Sequence, residues 1–210
     1  MSNGQCDGAP PVLGMGGMRI DFLNWRDPAW QDAAALIESH FKAIYAARLS
    51  LAGIELVAAR SGLGGLAGAA GIRDAGQGFF SQAYLDRPVE DLLSQTSGQR
   101  IFDREIIEVV SLACPQPRAT LPLIDAITEE GRRRGKSWGI FTATTPLRRL
   151  LERVGVPLIA LAPARPERLT GAANWGSYYD STPWVCALSD EHALRFVPQR
   201  AAMTTRMHLK

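Results

Sequence analysis

The sequence predicts a mixed α/β fold, a central sheet with crossover helices. Three observations predict it. Apolar, β-branched runs of strand length alternate with stretches of helical period. Glycine and proline punctuate these runs where turns and helix ends need them. The elements read in the order helix, hairpin, strand, helix, strand, helix, strand, strand, and strands separated by helices require crossovers.

Residues 1–18, rich in glycine and proline, read as a flexible lead, and Arg19-Ile20-Asp21-Phe22 as a short first strand. Asp27-Pro28 opens a helix, with Asp as cap and Pro at the first helical position. Ala33, Leu36, Ile37, His40, Phe41, Ile44 and Tyr45 recur at three- and four-residue spacing, so one face of this helix packs on a core, and the helix is expected to run to Arg48 or beyond. His40 reads as a core or edge histidine. Residues 54–60 and 65–73 are apolar runs joined by Ser61-Gly62-Leu63-Gly64, an antiparallel hairpin. The glycines of residues 62–76 make a poor phosphate loop, because no helix with phosphate-binding chemistry follows them.

Residues 79–85 lead through Asp86-Arg87-Pro88 to a short helix at 89–94. Residues 106–112 form a central strand, apolar on both faces apart from Glu108 and Ser111, and end at Cys114-Pro115. A helix starts at Arg118 or Thr120, runs to Arg134 and closes on Gly135. Residues 137–143 are a second buried strand. Thr145-Pro146 caps a helix over 147–154 that Gly155 closes, and residues 156–161 form a third strand broken by Pro163. A loop at 174–179 and a last strand at 184–188 follow, with a basic, frayed tail after Val197. The expected divisions are 1–18, 19–197 and 198–210, with no internal repeat.

Composition removes several function classes. The chain has 210 residues, 46% hydrophobic and 21% charged, the make-up of a globular domain with a substantial core. Its net charge of +2, from 23 basic and 21 acidic residues, lacks the basic excess of a generic nucleic-acid binder. No apolar run is long enough to span a membrane, and the lead lacks the basic start and apolar stretch of a secretory signal. Cys6, Cys114 and Cys186 form no C-x-x-C pair, and with His40, His192 and His208 scattered there is no metal-ligand spacing. Three reduced thiols in a cytoplasmic protein, with no metal, is the expectation.

The chemistry concentrates between residues 105 and 161. A strand ends, splays at Cys114-Pro115-Gln116-Pro117-Arg118 and runs into a helix N-terminus, whose unpaired amides suit a phosphate. Arg118 can add a direct contact, or be a surface arginine in an ordinary turn. Glu108 lies mid-strand among Ile107, Val109 and Val110, where a carboxylate is costly unless paired or facing a cleft. Burial moves its pKa upward, toward a general base near neutral pH, and an ion pair with Arg48 or Arg104 is the structural alternative. Trp175-Gly176-Ser177-Tyr178-Tyr179 is an aromatic loop whose hydroxyls either pack structurally or supply a proton. Ser111 and Cys114 have no neighbouring histidine in sequence to make them nucleophiles.

These residues carry a family resemblance. Phe79-Phe80-Ser81-Gln82-Ala83-Tyr84-Leu85-Asp86, then Ile107-Glu108-Val109-Val110-Ser111-Leu112-Ala113, resemble the bacterial thermostable hemolysin family. So do Phe141-Thr142-Ala143-Thr144, Leu147-Arg148-Arg149 and Trp175-Gly176-Ser177-Tyr178-Tyr179, in order and spacing over residues 20–190. That family is similar in turn to the GNAT-type acyltransferases, above all to acyl-homoserine-lactone synthases. Arg149, Arg153 and Gly155 fit the later Arg-x-x-x-Arg-x-Gly pattern of those synthases.

The resemblance implies a GNAT-like fold, a mixed and mostly antiparallel central sheet flanked by helices. It implies an N-acyltransferase that moves an acyl group from a thioester to an amine by direct attack. Glu108, Ser111, Tyr178 and Tyr179 would then be catalytic. Leu112, Ala113, Cys114, Arg118, Ala119 and Thr120 would hold the pantetheine arm and its phosphate, while Arg48, Tyr84 and Trp175 would receive a small amine acceptor. The cosubstrate would be acyl-coenzyme A or an acyl carrier protein, with no tightly bound cofactor. Gln116-Pro117-Arg118-Ala119-Thr120-Leu121 lacks the glycines of the usual pyrophosphate loop, which favours the carrier-protein donor. Phe22, Trp25 and Arg26 match the synthases' N-terminal set only loosely, so a homoserine-lactone product is not implied. The small residues at 65–71 offer space for an acyl tunnel, or simply close packing. The alternatives are a membrane-active lytic protein, as the family name suggests, and a catalytically silent binding module.

Overall fold

A computed structural model describes residues 12–14, 17–62 and 64–190. Among the described residues the apolar runs become eight strands of one sheet: β1 (Val12–Gly14), β2 (Met18–Leu23), β3 (Glu55–Arg60), β4 (Leu66–Arg73), β5 (Ile106–Ala113), β6 (Trp138–Ala143), β7 (Ile159–Pro163) and β8 (Trp184–Ser189). Their order across the sheet is β1-β2-β3-β4-β5-β6-β8-β7. Every neighbouring pair is antiparallel except β5–β6. Among the described residues four helices flank it: α1 (Trp30–Tyr45), α2 (Val89–Ser97), α3 (Thr120–Arg133) and α4 (Thr145–Arg153).

The two faces follow from strand alternation. On β3, Leu56 and Ala58 pack under Ala33, Ile37 and Phe41 of α1. Val57 and Ala59 point the other way, against Leu123, Ala126 and Ile127 of α3. α2 joins the α1 side through Val89 and Leu93, which meet Ile106, Ile140 and Val185. Leu151 of α4 covers Leu188 and Phe141 on the α3 side. α3 is the crossover between the parallel strands β5 and β6.

Several elements differ from the sequence expectation. The expected lead through residue 18 carries β1, paired in register with β2 through Val12 and Ile20. α1 begins at Trp30 rather than at Pro28, because the Asp27 carboxylate and carbonyl take the amides of Ala29 and Trp30 and hold a turn ahead of the helix. The third expected strand starts at Ile159, not Val156. Val156 is used by the end of α4: its amide reaches back to the Leu151 carbonyl at 2.9 Å and its side chain packs on Leu151. Pro163 ends β7 instead of breaking it, since an edge strand has an unpaired side. The lead before residue 12, Leu63, His192, His208 and the basic tail lie outside the described residues.

Candidate active site

β5 and β6 pair from Ile106 and Trp138 to Val109 and Phe141, and their pairing goes no further. At Ser111 the backbone takes the left-handed conformation, φ 52, uncommon outside glycine. The β4–β5 ladder shifts register at the same level, between Ala69 and Gly71. The bulge turns β5 away from β6 and opens a cavity of about 320 Å³ beside the splay.

Glu108 lies at its wall. The side chain is 0% exposed, and its carboxylate accepts the Phe80 amide at 2.6 Å and the Ser81 amide at 2.7 Å. Burial pushes this carboxyl above the usual carboxylate range, while the Ser81 and Phe80 donors and the charge of Arg73 hold it back. The alternative of an ion pair with Arg48 or Arg104 is corrected: backbone amides from the 3₁₀ segment Phe80–Tyr84 satisfy the charge instead. Arg73 stands opposite Glu108 across the ladder, but its guanidinium donates to the Gln77 and Gly78 carbonyls. The Ser81 hydroxyl, within 3.0 Å of the Thr142 hydroxyl, extends the polar wall toward β6.

Aromatic side chains close the other side. The Tyr178 hydroxyl donates to the Thr142 carbonyl at 3.3 Å, and the Tyr84 and Tyr179 hydroxyls are 2.8 Å apart. Trp175 stands 5.4 Å from Phe80 and 5.2 Å from Tyr178 between ring centroids. Burial pushes all three tyrosine hydroxyls up, so they stay protonated across the physiological range. Gly176 lets this loop dock: at φ 53 and ψ −127 it sits against the end of α1, and an added Cβ would overlap the Tyr45 carbonyl.

Leu112, Cys114 and Thr120 extend the same cavity toward the start of α3, so eight of the expected residues line it together: Glu108, Ser111, Leu112, Cys114, Thr120, Tyr84, Trp175 and Tyr178. Tyr179 joins through Tyr84. Ala113 and Ala119 do not line it: both are fully buried, Ala113 under α1 and Ala119 under α3. Arg118 is exposed, with its guanidinium on the Gln116 side-chain oxygen 2.9 Å away. Trp25, 61% exposed, and the exposed Arg149 and Arg153 of α4 line none of the three cavities around the splay.

His40, which the sequence reads as a core or edge histidine, is half-buried and lines the cavity; burial pushes its imidazole pKa down. Its one sequence clue was being the only polar member of the α1 stripe.

Two further cavities meet the first at Ser111. One, about 80 Å³, is apolar and lies on the α3 and α4 side, among Val109, Leu112, Ile127, Leu147 and Leu151. The other, about 250 Å³, lies toward the end of α1 and holds Arg48, Arg73 and Trp175. No tunnel runs through residues 65–71. A Cβ at Gly68 would meet the Cys114 sulfur at 2.8 Å, and one at Gly71 would meet Val110 at 2.7 Å, so these small residues admit neighbouring side chains. Among the described residues no helix is long and apolar enough to cross a membrane, and no cluster of three or more His, Cys, Asp or Glu side chains could hold a metal ion.

Solved structures share this architecture, which is GNAT-like. FeeM, an N-acyl amino acid synthase from uncultured soil microbes, aligns over 87% of this chain and 93% of its own, with TM-score 0.57 and 15% identity. The acyl-homoserine-lactone synthase LasI aligns over 82% and 90%, with TM-score 0.56 and 9% identity. TofI in its apo form aligns over the same shares, with TM-score 0.52 and 16% identity. At such identities the likeness is one of fold. No curated protein matches by sequence. The family model described as thermostable hemolysin matches residues 23–194, a span containing every residue of the three cavities, and the chain belongs to that family.

Proposed function

We propose that this protein is an N-acyltransferase, moving an acyl group from a thioester of coenzyme A or of a carrier protein to an amine. The observation that carries the reading is a buried carboxylate, Glu108, on the wall of a cavity that opens where β5 leaves β6. The fold shared with an acyl-homoserine-lactone synthase and an N-acyl amino acid synthase supports it.

The amine nitrogen attacks the thioester carbonyl beside Ser111, forming the C–N bond. The carbonyl electron pair moves onto oxygen, where backbone amides of the Leu112–Cys114 stretch stabilise it. Collapse of that intermediate breaks the C–S bond. The nitrogen gives up one proton, which reaches Glu108 directly, through water or through the Ser81 hydroxyl. The departing thiolate takes a proton from Tyr178 or from the Tyr84–Tyr179 pair. Leu112, Cys114 and Thr120 line the path of the pantetheine arm, and Arg118 meets its phosphate outside the cavity. The apolar cavity over α3 and α4 receives the acyl chain. Coenzyme A and carrier-protein thioesters are cytoplasmic donors, so the reaction belongs to the cytoplasm.

The test is thiol release, with product mass, from purified protein given short- to long-chain thioesters of both donors and pooled amines. Turnover that falls about 100- to 10,000-fold in Glu108→Gln, with the fold retained, is expected. Protein that releases no thiol from any donor, yet permeabilises liposomes without a thioester, would overturn the reading in favour of a lytic protein.

A further inference from the structure

The cavity of about 250 Å³ at the end of α1 shares Phe80, Val110, Ser111 and Trp175 with the cavity holding Glu108. A molecule seated in it reaches the reaction centre at Ser111 without entering the path toward Thr120. Its charged side chains are both cationic, Arg48 and Arg73. Among the described residues no carboxylate lies within ion-pair distance of either guanidinium. Arg73 is fixed by the Gln77 and Gly78 carbonyls, 2.8 and 2.9 Å away. Arg48 is exposed at the mouth, where its backbone amide donates to the Asn174 carbonyl at 2.6 Å and ties the end of α1 to the aromatic loop. Ser50 and Asn174 add polar groups, whereas Leu49, Leu169 and Trp175 give apolar walls.

Such a pocket discriminates by charge. It repels a polyamine and attracts an amine that also carries an anion. A guanidinium fork fits a carboxylate through two parallel hydrogen bonds, and the apolar walls accept a hydrocarbon side chain. We infer that this cavity is the acceptor pocket and that the acceptor is an α-amino acid with an apolar side chain, its carboxylate held by Arg48 and its amine directed at Ser111. The inference rests on the acyl-transfer reading for its chemistry: the amino group loses one proton as its nitrogen gains the acyl carbon, and the thiol leaves with one proton.

The experiment compares leucine with isoamylamine, the same skeleton without its carboxylate, at a fixed saturating thioester. Wild type is expected to favour leucine at least about tenfold in kcat/KM. Arg48→Ala should raise the leucine KM about ten- to hundredfold, leave the thioester KM unchanged, narrow the preference for leucine over isoamylamine, and be partly rescued by Arg48→Lys. Equal use of the two amines, or an unchanged leucine KM in Arg48→Ala, would overturn the inference. A second arm measures binding by ligand-observed NMR without any thioester. If no donor supports turnover, the acyl-transfer reading fails by itself. Leucine binding lost in Arg48→Ala would then uphold the anion pocket, and absence of leucine binding to wild type would remove it.

Discussion

The Ser81 amide and the Glu108 carboxylate are 27 positions apart in the chain and 2.7 Å apart in space. With the Phe80 amide on the other oxygen, the carboxylate anchors the segment that carries Phe80 and Tyr84 into the cavity. Glu108→Gln therefore has two effects. Its NH₂ group would face a backbone N–H, leaving one buried donor without an acceptor, at about 1–3 kcal/mol. Chemical unfolding should show that loss, and an activity loss much larger than the unfolded fraction would assign the remainder to proton transfer. Equal losses would make Glu108 an anchor alone.

The pH profile separates the roles further. A base must be ionised to accept a proton, and burial pushes Glu108 upward. The acid limb of kcat/KM should therefore lie above the usual carboxylate range and vanish in Glu108→Gln. The tyrosines are pushed upward too, so they stay protonated, and if they serve the thiolate no alkaline limb should fall below pH about 10. A limb at the ordinary carboxylate position would argue against Glu108 as the base.

Tyr84→Phe removes one hydroxyl from a 2.8 Å pair and leaves that of Tyr179 unpartnered in a half-buried site. A stability loss of about 1 kcal/mol is expected by thermal unfolding. A fall in kcat without a change in donor KM would place the pair in thiolate protonation. A change in donor KM alone would give it a binding role.

Gly176→Ala tests how the aromatic loop is held. Its φ and ψ lie outside the conformations other residues adopt easily, which costs about 1–3 kcal/mol, and the new methyl overlaps the Tyr45 carbonyl. The loop should detach from α1, exposing Trp175, so intrinsic fluorescence should shift to longer wavelength. An unshifted spectrum with wild-type stability would show that the docking is dispensable.

Filling the apolar cavity tests the acyl assignment. Ile124→Trp, half-buried on α3 and lining the apolar cavity but not the one that holds Glu108, should lower turnover of long-chain thioesters while sparing short ones. Uniform loss across chain lengths would place the chain elsewhere.

The strands and helices that obey a single period were legible in the sequence, as α3 and β5 illustrate. The placement of β8 between β6 and β7 was not, because adjacency in a sheet is a long-range choice that local pattern does not encode. Glu108 stood out as a carboxylate among apolar neighbours, but its partners did not, since backbone amides have no signature of their own. Arg118 was visible as a cation at a helix start, but its contact with the Gln116 side-chain oxygen, two residues away, was not. Gly68 and Gly71 could equally have meant space or contact, and only packing decided for contact.

The position of β8 has a consequence for how the chain acquires its shape. Among the described residues β7 has no partner in the sheet except β8, and β6 keeps one edge bare until β8 arrives. On a ribosome, everything after β6 must wait for Trp184–Ser189 to emerge before it can join the sheet. Until then β6, which supplies Thr142 to the cavity wall, stays an open edge where another chain could add a strand. Assembly of the cavity wall is thus a late, long-range event, and the interval before it is when the nascent protein is most exposed to aggregation.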